Sequence, residues 1–422
     1  MKKSVILIVW AVLFACTPQP EKKDTGNYVP VTPKLKSDIM TPEVLWSFGR
    51  LAEPVVSPDG KSVAYTVTYY NVPENKSYRD IYLLNISKRE SVRLTDTKSN
   101  ESAPQWRPDG KKIGYLSPAS GSSQLWEMNP DGSDPVQVTN SDLDINGFSY
   151  SPGQSKVFLL KSVKLDNDVH DIFPDLPKAN ARLETDLMYR HWDSWHDYTY
   201  NHIFVADYAD GKVSNEKDIM EGERFDSPMK PFGGTEEIAW SPDGIQLAYT
   251  CKKLTGKAYS LSTNSEIYLY DTKSGQTTNL TQGMMGYDKK PRFSPDGSKM
   301  AWESMERDGY EADKIRLFVA DHKTGEKKDF SVAFDQNSEN QCWSADGQSV
   351  YFTSAFEATE QVYKLNLSDN TISRITSGIH NYTSIEIAGD QLIATKVSMS
   401  QPAELVSVDP ASGTETPLTF LV

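Results

Sequence analysis

One short turn motif recurs along this chain and restricts it to a small set of folds. It appears as Ser57-Pro58-Asp59-Gly60, Arg107-Pro108-Asp109-Gly110, Ser151-Pro152-Gly153, Ser241-Pro242-Asp243-Gly244, Ser294-Pro295-Asp296-Gly297 and Ser344-Ala345-Asp346-Gly347. Proline presets φ for the first corner of a type I turn, aspartate tolerates the second, and glycine supplies the left-handed residue that closes a bulged hairpin. An apolar residue, usually aromatic, precedes each copy (Val56, Trp106, Tyr150, Trp240, Phe293, Trp343), and an alternating strand follows, as in Ser62-Val63-Ala64-Tyr65.

A third strand follows each hairpin, as in Ile81-Tyr82-Leu83-Leu84 or Leu317-Phe318-Val319-Ala320, and seven such segments run along the chain. A fourth strand often ends in an apolar-Thr pair, seen at Leu94-Thr95, Val138-Thr139, Leu280-Thr281, Ile375-Thr376 and Leu418-Thr419. Four strands per repeat make a propeller blade. Successive motifs start 44 to 53 residues apart, except for Ser151 and Ser241, which are 90 apart with one third strand between them. That interval reads as a single blade carrying about 40 extra residues. In the last blade, Ile385 to Gln391 replaces the proline turn. The sequence thus predicts an all-β fold, a seven-bladed β-propeller over 37–422, with a helical insertion at about 161–201 in the third blade. Cys251 and Cys342 fall in blades four and six, which are not neighbours, so buried free thiols are expected rather than a disulfide.

Residues 1–15 read as a lipoprotein signal. Met1-Lys2-Lys3 precedes an apolar run from Val5 to Phe14 that ends in Leu13-Phe14-Ala15-Cys16, a lipobox-like sequence. The run is shorter than the roughly 20 residues needed to span a bilayer. Cys16 is then the expected lipidation site and membrane anchor, which predicts export to the cell envelope. Residues 16–36, rich in Pro, Lys and Thr, read as a flexible tether. A formal charge of -14 leaves no broad basic surface for phosphates, so no nucleic-acid partner is expected. No cofactor and no metal site are expected either: His191 and His196, five apart, are off one helical face.

The segment from Met40-Thr41-Pro42-Glu43-Val44-Leu45-Trp46 through the first Ser-Pro-Asp-Gly, together with Tyr189-Arg190-His191-Trp192-Asp193-Ser194-Trp195, resembles the prolyl oligopeptidase family of serine peptidases. The likeness is to its bacterial dipeptidyl-peptidase and acylaminoacyl-peptidase branch. That resemblance implies a two-domain enzyme in which the propeller caps an α/β-hydrolase domain and limits which peptides enter. The hydrolase signature, a Gly-x-Ser-x-Gly nucleophile elbow, does not occur here. Its nearest approach, Gly60-Lys61-Ser62-Val63-Ala64, lies in a repeat hairpin. No catalytic residue is therefore assigned, and this chain is expected to be inactive alone, either as the gating part of such a peptidase or as a stand-alone, lipid-anchored TolB-like propeller that binds a protein or peptide.

Candidate binding residues concentrate in the insertion. Ala179 to Trp192 reads as a helix with Leu183, Leu187 and His191 on one face. Arg190, His191, Trp192, Asp193 and Trp195 are candidates for contact with a peptide substrate or a hydrolase domain. The alternative is local packing, with Trp192 and Trp195 against the blade edge and Arg190 paired to Asp193 or Asp197. The family resemblance further implies carboxylates that hold a peptide amino terminus, for which Glu184, Asp186, Glu221, Glu223, Glu236 and Glu237 are candidates.

Overall fold

The computed structural model describes Tyr28, Pro30, residues 33–35 and residues 37–421. The signal segment, Cys16 and most of the tether lie outside the described residues. Among those described, no helix is long and apolar enough to cross a membrane. Seven four-stranded antiparallel sheets follow one another, spanning residues 50–93, 102–137, 147–218, 238–279, 288–329, 339–374 and 381–417. This is the seven-bladed β-propeller that the repeat predicts.

The turn motif does in three dimensions what its chemistry suggests. In four copies the serine hydroxyl donates to the aspartate two residues on, at 2.6 Å in each of Ser57, Ser241, Ser294 and Ser344. This bond is the main cause holding Asp59, Asp243, Asp296 and Asp346 below the usual carboxylate range. The glycines Gly60, Gly110, Gly244, Gly297 and Gly347 have φ of 66° to 70°, a region that a side chain at Cβ disfavours.

Aromatic residues before the turn stitch blade to blade. The indole N–H of Trp106, Trp240 and Trp343 donates to Val55 O, Ser149 O and Arg292 O, each on the innermost strand of the preceding blade, at 3.1, 3.2 and 2.9 Å. Tyr150 reaches the preceding blade through Glu127, at 2.7 Å. The threonines after the fourth strands have a comparable role: Thr95, Thr139, Thr281, Thr376 and Thr419 each accept a third-strand backbone N–H through Oγ1. Burying a backbone donor without such a partner would cost about 1–3 kcal/mol.

The core is likewise divided by blade. Each interface between neighbouring blades has its own apolar cluster, such as Phe158, Leu160, Ile203 and Val205 of blade 3 against Leu247, Tyr249 and Tyr268 of blade 4. The ring closes without strand exchange, because blade 1 and blade 7 are each built from continuous sequence. Leu51, Val63, Tyr65 and Val67 meet Ile393, Leu405 and Leu418 across that seam. Val56 N also donates to Glu386 Oε2 at 2.9 Å, and burial pushes the Glu386 carboxyl up to about 7. Cys251 and Cys342 are free thiols, raised in pKa by burial.

The insertion is shorter than expected. Lys156–Lys164 pairs with Thr199–Ala209 as far as Lys164 opposite Thr199, so the excursion covers only residues 165–198. The excess length is shared with a second excursion, residues 219–237 between blades 3 and 4, about twice as long as the other blade-to-blade connections.

Candidate functional site

Two excursions of blade 3 and one segment of blade 4 enclose a cavity of about 870 Å3. Residues 165–198 form one wall, residues 224–231 a second, and the segment leading into the short helix Gly256–Leu261 a third. The expected helix over Ala179–Trp192 is absent. Helix in the insertion is confined to Val169–Ile172, whose capping aspartate Asp168 accepts the N–H groups of His170 and Asp171. Where a helix was expected, side chains and backbone pair locally: Asp186 Oδ1 accepts its neighbour's N–H at 2.8 Å, and Arg190–His191 pairs with Ser194–Trp195 as a small hairpin. Asparagine, threonine and aspartate in that stretch compete with helical hydrogen bonds, and no packed face opposes the loss. Trp192 takes the left-handed position of the hairpin turn, φ 53°.

Three ionic groups hold the walls together. Asp166 accepts from Arg224 Nε at 2.7 Å and Tyr200 OH at 2.6 Å. Burial works to raise Asp166, but these bonds prevail and hold it below the usual range. Lys230 Nζ donates to Thr199 O at 2.8 Å and Asp197 Oδ1 at 3.1 Å, and lies 3.8 Å from Asp226. Asp226 is raised by burial although it accepts Asn201 N at 2.8 Å. Beneath them the fully buried His202 bridges Asp218 Oδ2 at 2.7 Å and Glu223 O at 2.8 Å. Burial would lower His202, but the Asp218 bond outweighs it and the net shift is upward.

The sequence candidates separate into groups. His191, Trp195, Glu184 and Asp186 line the cavity. Arg190 and Trp192 line an adjoining recess with Leu187, Tyr189 and Ser260. Arg190 pairs with neither Asp193 nor Asp197: its Nε donates to Trp192 O at 2.9 Å, and its guanidinium lies 5.4 Å from the Trp195 ring. Arg182 stands equally far from that ring, and Tyr189 stacks on it at 6.1 Å. The tryptophans therefore pack within the insertion and against Phe232, 6.3 Å from Trp192, rather than on the blade edge. Asp193 sits at the hairpin tip and lines neither space.

Of the other acids, Glu221 lies outside the cavity, Glu223 binds Lys253 at 2.6 Å, and Glu236 accepts Gly234 N at 3.0 Å. Glu237 is buried, accepts Met229 N at 2.8 Å, and is pushed up to about 7 by burial. Sequence reasoning missed Asp166, Tyr200, Arg224, Asp226, Lys230 and Tyr259. The long interval between the third and fourth blade turns was the available signal, but it was assigned to one excursion instead of two. Gly256, at φ 57°, is needed here: a Cβ would come within 2.5 Å of Asp186 Oδ2.

The model of the TolB beta propeller domain matches residues 42–213 and 237–420, omitting the connection between blades 3 and 4. The chain belongs to the TolB β-propeller family. Within it, this propeller is similar to dipeptidyl-peptidase 5 of Porphyromonas gingivalis, 44% identical over 89% of the chain and 54% of that relative. It is also similar to dipeptidyl-peptidase 5 of Porphyromonas endodontalis, 42% identical over 99% of the chain and 60% of that relative. The TolB-type propeller thus spans a little over half the length of these curated relatives. Among solved structures, Pyrococcus horikoshii acylaminoacyl peptidase superposes with a TM-score of 0.68 at 18% identity, over 89% of this chain and 53% of that one. The β-propeller domain of the Trilobed protease from Pyrococcus furiosus gives 0.60 at 17%, over 89% and 96%. At such identities the likeness is one of fold.

Proposed function

We propose that this chain is the noncatalytic propeller of an exported, lipid-anchored serine peptidase of dipeptidyl-peptidase or acylaminoacyl-peptidase type, which restricts peptide access to a hydrolase domain. The observation that carries this is the cavity at the blade 3 excursions, in a chain more than 40% identical to two dipeptidyl-peptidase 5 proteins of which it covers 54% and 60%. Glu184 and Asp186 line that cavity and take part in none of the ion pairs among the described residues, and the rings of Tyr189, Trp195, Tyr198, Tyr200 and Tyr259 line it with them. That combination suits an amino group on an apolar peptide segment, because an ammonium leaving water needs a paired charge. His191 and Trp195 supply a polar edge and a ring face beside it.

A fluorophosphonate probe tests the division of labour. The chain ending at Val422 is expected to remain unlabelled and to leave dipeptidyl and acyl-amino-acid reporter substrates intact. The full product of the gene is expected to be labelled. Labelling of the shorter chain would overturn the noncatalytic assignment, and an unlabelled full product would overturn the peptidase assignment. Anchoring is tested separately by metabolic labelling with a fatty acid, which Cys16→Ser is expected to abolish.

A further inference from the structure

Blade 1 carries a hairpin longer than its sheet requires. Its second and third strands, Ser62–Asn71 and Lys76–Asn85, stay paired from Ser62 opposite Asn85 to Asn71 opposite Lys76, further than in any other blade. The first strand stops opposite Thr68, so Tyr69–Asn71 and Lys76–Tyr78 project past the rest of the sheet. The projecting end is braced: Asn71 caps the turn Val72–Glu74, and Tyr78 OH donates to Glu74 Oε2 at 3.0 Å. It also gathers aromatic rings from the segment ahead of blade 1. Trp46, in the helix Pro42–Ser47, meets Tyr70 edge to face at 5.0 Å. Tyr28, the first described residue, stacks on Tyr78 at 5.1 Å with the rings 10° from parallel, and its hydroxyl donates to Tyr70 O at 3.1 Å.

We infer that this projecting hairpin is a clasp for the N-terminal tether, so that the anchored protein hangs from its membrane by blade 1. A tyrosine suits the latch, because its ring supplies a stacking face and its hydroxyl a directed hydrogen bond. Both partners belong to the part of the hairpin that no other strand of the blade uses. The two contacts are modest, but they form within one chain, where a short connection holds the effective concentration near millimolar. Reach is the consequence. Cys16 and Tyr28 are twelve residues apart, which spans at most about 40 Å fully extended. Without the clasp the first helix begins at Pro42, twenty-six residues from Cys16 and about 90 Å away at full extension.

The clasp gives the ring a near side and a far side. Blade 1 is held beside the bilayer, and the cavity of blades 3 and 4, two to three places round the ring, is carried away from it toward the aqueous space in which soluble peptides diffuse. Charge points the same way: a protein of net charge -14 is repelled by an anionic lipid surface, so its placement has to come from the tether rather than from adhesion of the ring. That a bilayer holds the far end of the tether rests on the lipidation of Cys16 in the preceding subsection; the clasp itself rests on Tyr28, Tyr70 and Tyr78.

Pulsed dipolar spectroscopy between spin labels at Cys16 and Val72→Cys, in the protein produced without its signal segment and without lipid, tests the clasp. Burial raises the pKa of the Cys251 and Cys342 thiols and keeps them from the label. Tyr28→Ala is expected to lengthen the distances and broaden their distribution about two-fold at an unchanged melting temperature, and Tyr28→Phe, which keeps the stack and loses only the hydroxyl, to fall between. Coincident distributions for the parent and Tyr28→Ala would overturn the clasp. The lipidated protein is then placed on phosphatidylethanolamine vesicles that carry a nitroxide lipid. A fluorophore at Val72→Cys is expected to be quenched several-fold more than one at Ala312→Cys, an exposed site in the corresponding link of blade 5, and Tyr28→Ala to remove the difference. Equal quenching at the two sites in the parent would overturn the placement of blade 1 at the membrane. A protein that takes up no fatty acid would remove the anchor and with it that placement, while the spin-label distances still decide the clasp.

Discussion

Blades 5 and 6 and the excursions of blade 3 are made from the same chain but obey different rules. In the two regular blades, contacts made elsewhere in the ring recur: a serine braces the turn, an indole reaches the neighbour, and a hydroxyl after the fourth strand holds the third. Around the cavity the blade-to-link bond from Asn201 N to Asp226 still follows the repeat, but the ion pairs do not. Asp166 with Arg224, Asp226 with Lys230, and His202 with Asp218 each occur once. Repeated contacts build the scaffold, and the unique ones shape the excursions around the cavity.

Truncating the scaffold should have the largest effect. Leu405→Ala opens a void in the fully buried seam between blades 7 and 1, which has no shared strand to hold it, and is expected to cost about 2–5 kcal/mol in denaturant unfolding. If the loss is no larger than at an exposed site, the seam is not what closes the ring.

Next comes Glu237, which backs the second excursion and faces Glu236, Lys289 and Lys290. Burial raises its folded pKa to about 7, above the usual carboxylate range, so its favourable contribution is complete below the unfolded value and is lost as pH rises through about 7. Glu237→Gln keeps an acceptor for Met229 N. It is expected to be more stable than the parent at pH 8, by roughly 1–3 kcal/mol, with the two converging below about pH 4. Parallel stability curves across that range would show that Glu237 is not the titrating group.

Trp343→Phe keeps a ring between blades 5 and 6 but removes the indole donor to Arg292 O, and is expected to cost about 1 kcal/mol by thermal unfolding. Trp192→Ala, at the exposed hairpin tip, is expected to change stability by less than about 0.5 kcal/mol. A larger loss there would mean that the insertion is part of the scaffold, and the contrast between the two regions would fail.

The two regions were also unequally legible. Val56, Trp106, Tyr150 and the other residues before the turns could be placed from sequence because each repeats with its neighbours at a fixed offset. The insertion had no second copy to check against. Leu183, Leu187 and His191 have helical spacing, yet that spacing is a weak constraint on a short polar segment with nothing packed against it. The outcome was decided instead by Asp186 bonding its neighbour and by Arg190 and His191 pairing across a turn.

By itself, then, the sequence determined the number of blades, their four-strand composition, their turn chemistry and the blade that carries the insertion, because those follow from local geometry repeated at regular intervals. Tertiary structure alone decided that Asp166 meets Arg224 across 58 residues, and that Glu184 and Asp186 share a cavity with Tyr259. Contacts of that kind depend on where distant connections are carried by the ring, and no local period in the chain records them.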